Sequence, residues 1–582
     1  MPFFSAPTSV PSPSSRRRSA RARRRTLAAG AALAVAWGAA ACTGGSSEPT
    51  ESGTDGTTTE PAPPTARTAA VEGVVTLPDA DPAALTLAAS RTFFEAAPVV
   101  VLAEPASTGP AVAAAVATAV TAPVLVTGGA ADAVADEVER LGAVGAVVVG
   151  APDESAGAPD AEEDGTDDAS GTGPSASPGT GEQEPAAAGA ALPDLPTARI
   201  EPADVVADDG TVDEDALEAA VEDALDELPA TGQAEASADV LALTDVATTP
   251  ASALAGATAR AAGASVLDVP GGDPRATSAT VQAVHDAREA GTTATVGIGP
   301  SFGGAEDLTW RLESAATGVE LPGGGQVALP GKRYVALYGS PQAPVLGVLG
   351  EQDVPATIAR AQEHASWYQA LTGEPVVPTL EIITTVASGS AGSDGNYSNE
   401  RSADLIRPLV DAAREAGVYV VLDFQPGRTD FLTQVRAYED LVAQPHVGVA
   451  LDPEWRLGPD QVHLAQIGSV GIDEVNAVGD YLAGLVRDRD LPQKIFLLHQ
   501  FRTSMIADRP RLDTAHPELA VVIHADGQGG QGAKASTWAT LRADAPPGVF
   551  WGWKNFYDED SPMLTPEQTW AVQPTPDFVS YQ

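Results

Sequence analysis

The chain has 582 residues, 43% of them hydrophobic, so it is too long for one ordinary domain and apolar enough for several cores. Lys and Arg number 33 against 79 Asp and Glu, a formal net charge of −46. That balance excludes the clustered basic charge of a nucleic-acid binder and electrostatic docking on anionic lipid. The single cysteine, Cys42, excludes a disulfide framework and a Cys-based zinc site.

Residues 1–41 carry no acidic residue and seven arginines between Arg16 and Arg25, followed by an apolar run from Leu27 to Ala41. This predicts a signal peptide over 1–41, too short and too Ala-rich to span a membrane stably. Ala39-Ala40-Ala41-Cys42 resembles a bacterial lipobox. The resemblance implies cleavage before Cys42, lipidation of Cys42, and a membrane anchor on the extracellular face within the cell wall zone. From residue 42 to 74 the chain is dominated at first by Gly, Ser, Thr, Pro and Glu, and a flexible tether is expected there.

Between 75 and 300 the only aromatic residues are Phe93 and Phe94. Residues 98–150 read as strand, helix (110–121), strand, helix (130–141), strand. Residues 239–300 repeat the pattern, with helices at 250–263 and 276–289 and strands around Val240–Leu243, Ser265–Val269 and Ala294–Ile298. Short, unbroken Val-rich runs predict parallel strands buried on both faces. Gly128-Gly129 and Gly271-Gly272 fit neither G-x-G-x-x-G nor a P-loop, so they are read as tight turns, and neither nucleotide nor cofactor is expected. Residues 153–190 are acidic and rich in Pro, Gly and Ser, which predicts a disordered insertion. The segments Ala122-Pro123-Val124-Leu125-Val126-Thr127, Leu141-Gly142-Ala143 and Val147-Val148-Val149-Gly150 resemble the cell wall-binding repeat 2 family. That resemblance implies a Rossmann-like unit over 75–303 on a bacterial surface protein, with wall polymer as its partner.

A linker is expected over 304–331, and a second α/β unit over 332–582. Seven strands are predicted there: Tyr334–Tyr338, Val376–Thr385, Val418–Phe424, Val447–Asp452, Lys494–His499, Leu519–His524 and Val549–Trp553. Strand–helix alternation over this length predicts a (β/α)₈ (TIM) barrel rather than an open doubly wound sheet, because polar residues gather at the C-terminal ends of successive strands. Asp423, Asp452, Glu454 and Asp526 are the candidate catalytic carboxylates. Hydrolysis of a glycosidic bond needs one protonated and one ionised carboxyl, which burial and like-charged neighbours can supply. Glu381, His499, Gln500, Lys554 and Tyr338 are candidates for binding substrate or tuning the acids, with Arg428 beside them. Trp551, Trp553 and Trp455 offer flat faces on which a sugar could stack. His499, His524 and Asp526 are too few and too irregularly spaced to predict a metal site, and none is expected. This half resembles the barrel glycoside hydrolases and the barrel-like domains of bacterial surface lipoproteins. The expectation is an envelope protein acting on cell wall or extracellular polysaccharide. A non-catalytic surface scaffold or carbohydrate binder is the alternative.

Overall fold

The computed structural model describes residues 62–103, 110–127, 130–150, 195–207, 209–232 and 239–582. The expected signal peptide, Cys42, the insertion 153–190 and Gly128-Gly129 lie outside the described residues, as does the tether up to residue 61. The rest of the expected tether is ordered backbone in part: Arg67–Thr68 pairs antiparallel with Phe94–Ala96.

The N-terminal half contains two four-stranded parallel sheets. One runs Val124–Val126, Val99–Ala103, Gly145–Val149, Thr197–Ile200 in spatial order. The other runs Ser265–Asp268, Val240–Thr244, Ala294–Ile298, Val74–Leu77. Both follow one plan: the first strand is central, the second flanks it on one side and the third on the other. They differ in the source of the fourth strand. In the second sheet it is Val74–Leu77, which precedes everything else in that sheet by more than a hundred residues. Val99–Ala103 and Gly145–Val149 are buried at every position, as strands covered on both faces require. Helix Pro82–Phe93 starts where Pro82 sits in its first turn and the Asp81 carboxylate accepts from the Ala84 N–H at 2.9 Å. That helix packs on Ser252–Ala261, and their small side chains let the cores of the two sheets merge.

The segment 304–331, expected to be a linker, carries the helix Ala305–Ala316. Its Trp310 is buried between the guanidinium groups of Arg275 and Arg487, 4.2 and 4.6 Å from the ring centre. Apolar burial with cations on the ring makes this segment a joint rather than a spacer.

The C-terminal half is a closed barrel of eight parallel strands. These are β1 (Arg333–Gly339), β2 (Val376–Ala387), β3 (Tyr419–Phe424), β4 (Val447–Leu451), β5 (Lys494–Gln500), β6 (Leu519–Ala525), β7 (Phe550–Asn555) and β8 (Phe578–Tyr581). The ring closes because β1 pairs with both β2 and β8. Strand β8 is the one missing from the sequence reading. It has four residues and follows a stretch broken by Pro574 and Pro576, so it gives little periodicity to detect. No α-helix lies between β5 and β6, only the short turns Thr503–Met505 and Arg509–Arg511 and the two-residue strand Ile506–Ala507, which pairs with Val470–Gly471.

Alternation along each strand sorts the barrel interior into layers. The lower layers hold Tyr334, Tyr419, Ile495, Ala520 and Phe578, then Ala336, Val421, Ala450, Leu497 and Val522. Two residues further up the same faces stand Tyr338, Asp423, Asp452, His499 and His524. The interior is therefore an apolar plug with an ionisable layer at its C-terminal end.

Candidate active site at the barrel mouth

The mouth is an open cavity of about 710 Å³ whose wall includes Tyr338, Gln425, Asp452, Glu454, Asp526 and Lys554. Asp452 and Glu454 flank Pro453 on a single 3₁₀ turn directly after β4. The Gly468 N–H donates to the Glu454 carbonyl at 2.7 Å, which ties the following loop back onto this turn. A Cβ on Gly468 would sit 2.3 Å from that carbonyl oxygen, so only glycine allows the approach.

Beneath the cavity floor lies a second set of groups with no exposed surface: Glu381, Asp423, His499 and His524. His499 Nε2 is 2.7 Å from Glu381 Oε1 and 3.8 Å from Asp423 Oδ1, and its Nδ1 is 3.1 Å from Asp526 Oδ2. These are close charge contacts rather than aligned hydrogen bonds. Lys554 Nζ lies 3.2 Å from Asp526 Oδ1 and 3.5 Å above the Tyr338 ring centre. Tyr338 donates its hydroxyl to Asp423 Oδ2 at 2.9 Å. Lys554 is steadied from behind, because Lys534 donates to its carbonyl at 2.7 Å while pairing with Asp560 at 2.9 Å.

Five carboxyls and two strong cations share this low-dielectric space, so not all the acids can ionise together. Burial alone would raise Asp526, but Lys554 and His499 outweigh it and hold its carboxyl well below the usual range. Burial, and then the nearby Asp526 charge, pushes Glu454 up to about 7. Burial, and then Glu454, pushes Asp452 well above its ordinary value. Asp423 rises to about 6 through burial, against the pull of His499. Burial disfavours charged His499, yet Glu381 and Asp526 prevail and keep it cationic. Burial, reinforced by that cation, keeps His524 neutral. At neutral pH the mouth therefore presents an ionised Asp526 beside a Glu454 that still holds much of its proton.

Of the residues singled out from sequence, Tyr338, Asp452, Glu454, Trp455, Asp526 and Lys554 face the cavity. Asp423, Glu381 and His499 meet one another just below it. Three expectations need correction. Trp551 and Trp553 lie on the opposite face of β7 from Lys554 and pack against Trp538 at 5.6 and 5.5 Å between ring centres. Strand alternation thus makes them packing residues, not sugar platforms. Gln500 likewise alternates with His499 and does not line the cavity; its amide donates to the Arg502 carbonyl at 3.3 Å. Arg428 meets no mouth carboxylate: it stacks on Tyr397 at 4.6 Å and donates to the Gln461 carbonyl at 3.0 Å. Sequence reading missed Gln425, Phe501 and Arg502 as wall residues. Each sits just past the end of a strand, a position already expected to build the site, so placement rather than residue type was the usable signal.

Among the described residues, the spacing of metal ligands occurs only at Asp480, Asp513 and His516 on the surface. There His516 Nε2 already lies 3.0 Å from Asp480. Likewise, no described helix is long and apolar enough to cross a membrane.

No family model and no curated protein matches the chain. Among solved structures it is similar to the xylanase and alpha-amylase inhibitor protein XAIP-II from Scadoxus multiflorus, at 11% identity over 43% of this chain and 92% of that one, TM-score 0.26. It is similar to Cwp6 from Clostridium difficile at 12% identity, over 61% of this chain and 63% of that one, TM-score 0.29. It is also similar to CcCel6C, a glycoside hydrolase family 6 enzyme from Coprinopsis cinerea, at 14% identity, over 48% and 69%, TM-score 0.18.

Proposed function

We propose that the protein is an exported envelope lipoprotein, anchored through Cys42, whose barrel hydrolyses glycosidic bonds in a cell wall or extracellular polysaccharide. The observation that carries the catalytic part is geometric: Glu454 and Asp526 line one cavity, and Asp526 alone of the two has cations against it, Lys554 at 3.2 Å and His499 at 3.1 Å, so burial raises Glu454 to about 7 while Asp526 is held ionised. Glu454 gives its proton to the glycosidic oxygen as the C–O bond breaks. Asp526 faces the positive charge that develops at the anomeric carbon and acts as its anionic partner. Water supplies the hydroxyl of the new reducing end, and its second proton restores the acid. Lys554 and His499 keep Asp526 ionised, while Asp452, protonated beside Glu454, adds no competing negative charge. The signal-like leader and the lipobox-like Ala39–Cys42 support the envelope location.

The sign of the pH dependence follows from these groups. The proton on Glu454 is present below about pH 7 and is lost as pH rises through that value, so turnover falls on the alkaline side. On the acid side Asp526 stays ionised well below the usual carboxylate range, so activity persists there.

The test is release of new reducing ends from a panel of wall and extracellular polysaccharides by the full chain, Glu454→Gln and Asp526→Asn. Turnover by the wild type, with a loss of at least about a hundredfold in each variant, supports the reading. Binding without new reducing ends, equal in all three proteins, makes the barrel a non-catalytic carbohydrate binder.

A further inference from the structure

A second cavity of about 500 Å³ adjoins the mouth and shares Glu454, Trp455, Ile467 and Arg502 with it. Glu454 therefore stands at a junction between two spaces, not at the closed end of one. Trp455 is half-buried at this junction and is braced edge-on by His463, 5.3 Å between ring centres. His463 is in turn held by the Tyr397 carbonyl at 2.9 Å. Leu464, on the wall of the second cavity, is 90% exposed and has a φ of +65°. A leucine on a left-handed backbone is costly, and such strain persists where a surface clamps a ligand. Arg502 is exposed on both cavity walls and, among the described residues, has no carboxylate within ion-pair distance, whereas Lys554, the other cation of the walls, is held by Asp526.

We propose that the substrate is a linear glycan bearing carboxylate groups, threaded across Glu454 so that one sugar lies in the second cavity on Trp455 under Leu464, with its carboxylate on Arg502. This rests on the hydrolase reading above and gives it a substrate class and a cleavage position. A chain that runs on through both cavities past Glu454 is cut within its length. A planar guanidinium selects a carboxylate-bearing sugar over its neutral counterpart, and the indole face supplies sequence-tolerant stacking.

The test is calorimetric binding of the full chain, in a Glu454→Gln background that prevents turnover, to two probes of equal length. One is a glycan strand alternating N-acetylglucosamine with N-acetylmuramic acid, which carries a carboxylate on every second sugar. The other is a chitin oligomer, with a related β-1,4-linked amino-sugar backbone and no carboxylate. The acidic strand is expected to bind more tightly. Arg502→Ala should weaken it about tenfold and leave chitin binding unchanged, and Trp455→Ala should weaken both about tenfold. The Arg502 side chain is exposed, so its variant is expected to fold even if removing Trp455 disturbs the turn. Equal binding of the two probes, binding of neither, or no effect of Arg502→Ala overturns the proposal. Reducing-end release by the unmodified chain is scored separately. Arg502-dependent binding without cleavage removes the hydrolase reading and leaves this site. Cleavage that is indifferent to Arg502 and to the carboxylate does the reverse.

Discussion

Glu381 never reaches the cavity, yet it sets the charge of a group that does. Its carboxyl lies 2.7 Å from His499, whose other nitrogen lies 3.1 Å from Asp526. Replacing Glu381 with Gln keeps the shape and removes the charge that holds His499 cationic. Asp526 then loses part of the attraction that keeps it ionised, so the acid limb of the pH–rate profile should move up by about one pH unit. A merely structural role would lower turnover without moving that limb. Gly552 is a second sensitive position. It faces inward on β7, and a Cβ there would lie 2.4 Å from the His524 ring. Gly552→Ala should cost about 1–3 kcal/mol through overpacking, measured by denaturant unfolding; an unchanged midpoint would mean the ring has room to move. The acids at strand ends were legible from sequence because their positions follow from the strands themselves. Which way Trp551 and Gln500 point was not, since one register step reverses every side chain of a strand.

At the scale of elements, the Val-rich runs were legible because a strand buried on both faces needs an unbroken apolar sequence. Three sheet strands escaped: Thr197–Ile200, which stands alone after the acidic stretch 153–190, and two others for a different reason. Val74–Leu77 completes a sheet whose other members begin at residue 240, and Phe578–Tyr581 closes a ring whose first strand begins at 333. Pairings of such sequence separation leave no local pattern. Strand β8 bonds to both β1 and β7, so a chain ending at residue 575 would leave two open edges in the barrel. That truncation should aggregate or lose cooperative unfolding, as read by light scattering and circular dichroism; a soluble, cooperatively unfolding product would show that closure is dispensable. The loop after β4 makes the opposite prediction. Leu464→Gly removes the left-handed strain at φ +65° and should stabilise the fold by about 1 kcal/mol, while weakening glycan binding.

For the whole molecule, the two halves are joined through Trp310 and through hydrogen bonds such as that from the Gln493 N–H to the Gln326 carbonyl at 2.8 Å. Trp310→Ala should cost about 3 kcal/mol and divide a single calorimetric transition into two. On the proposed reading, the barrel of an envelope protein presents its acidic mouth to an outside polymer. Everything in that account depends on two neighbouring carboxyls having opposite protonation, and this can be measured without knowing the substrate. In the full chain labelled with ¹³C at the carboxyls of Glu and Asp, the Glu454 signal is identified by its loss in Glu454→Gln, and the Asp526 signal by its loss in Asp526→Asn. The account predicts a Glu454 midpoint near pH 7, and an Asp526 signal that stays in its ionised position far below the ordinary carboxylate range. A Glu454 midpoint in the usual range near 4, or an Asp526 that takes up its proton alongside it, would contradict the proposed acid–base pair.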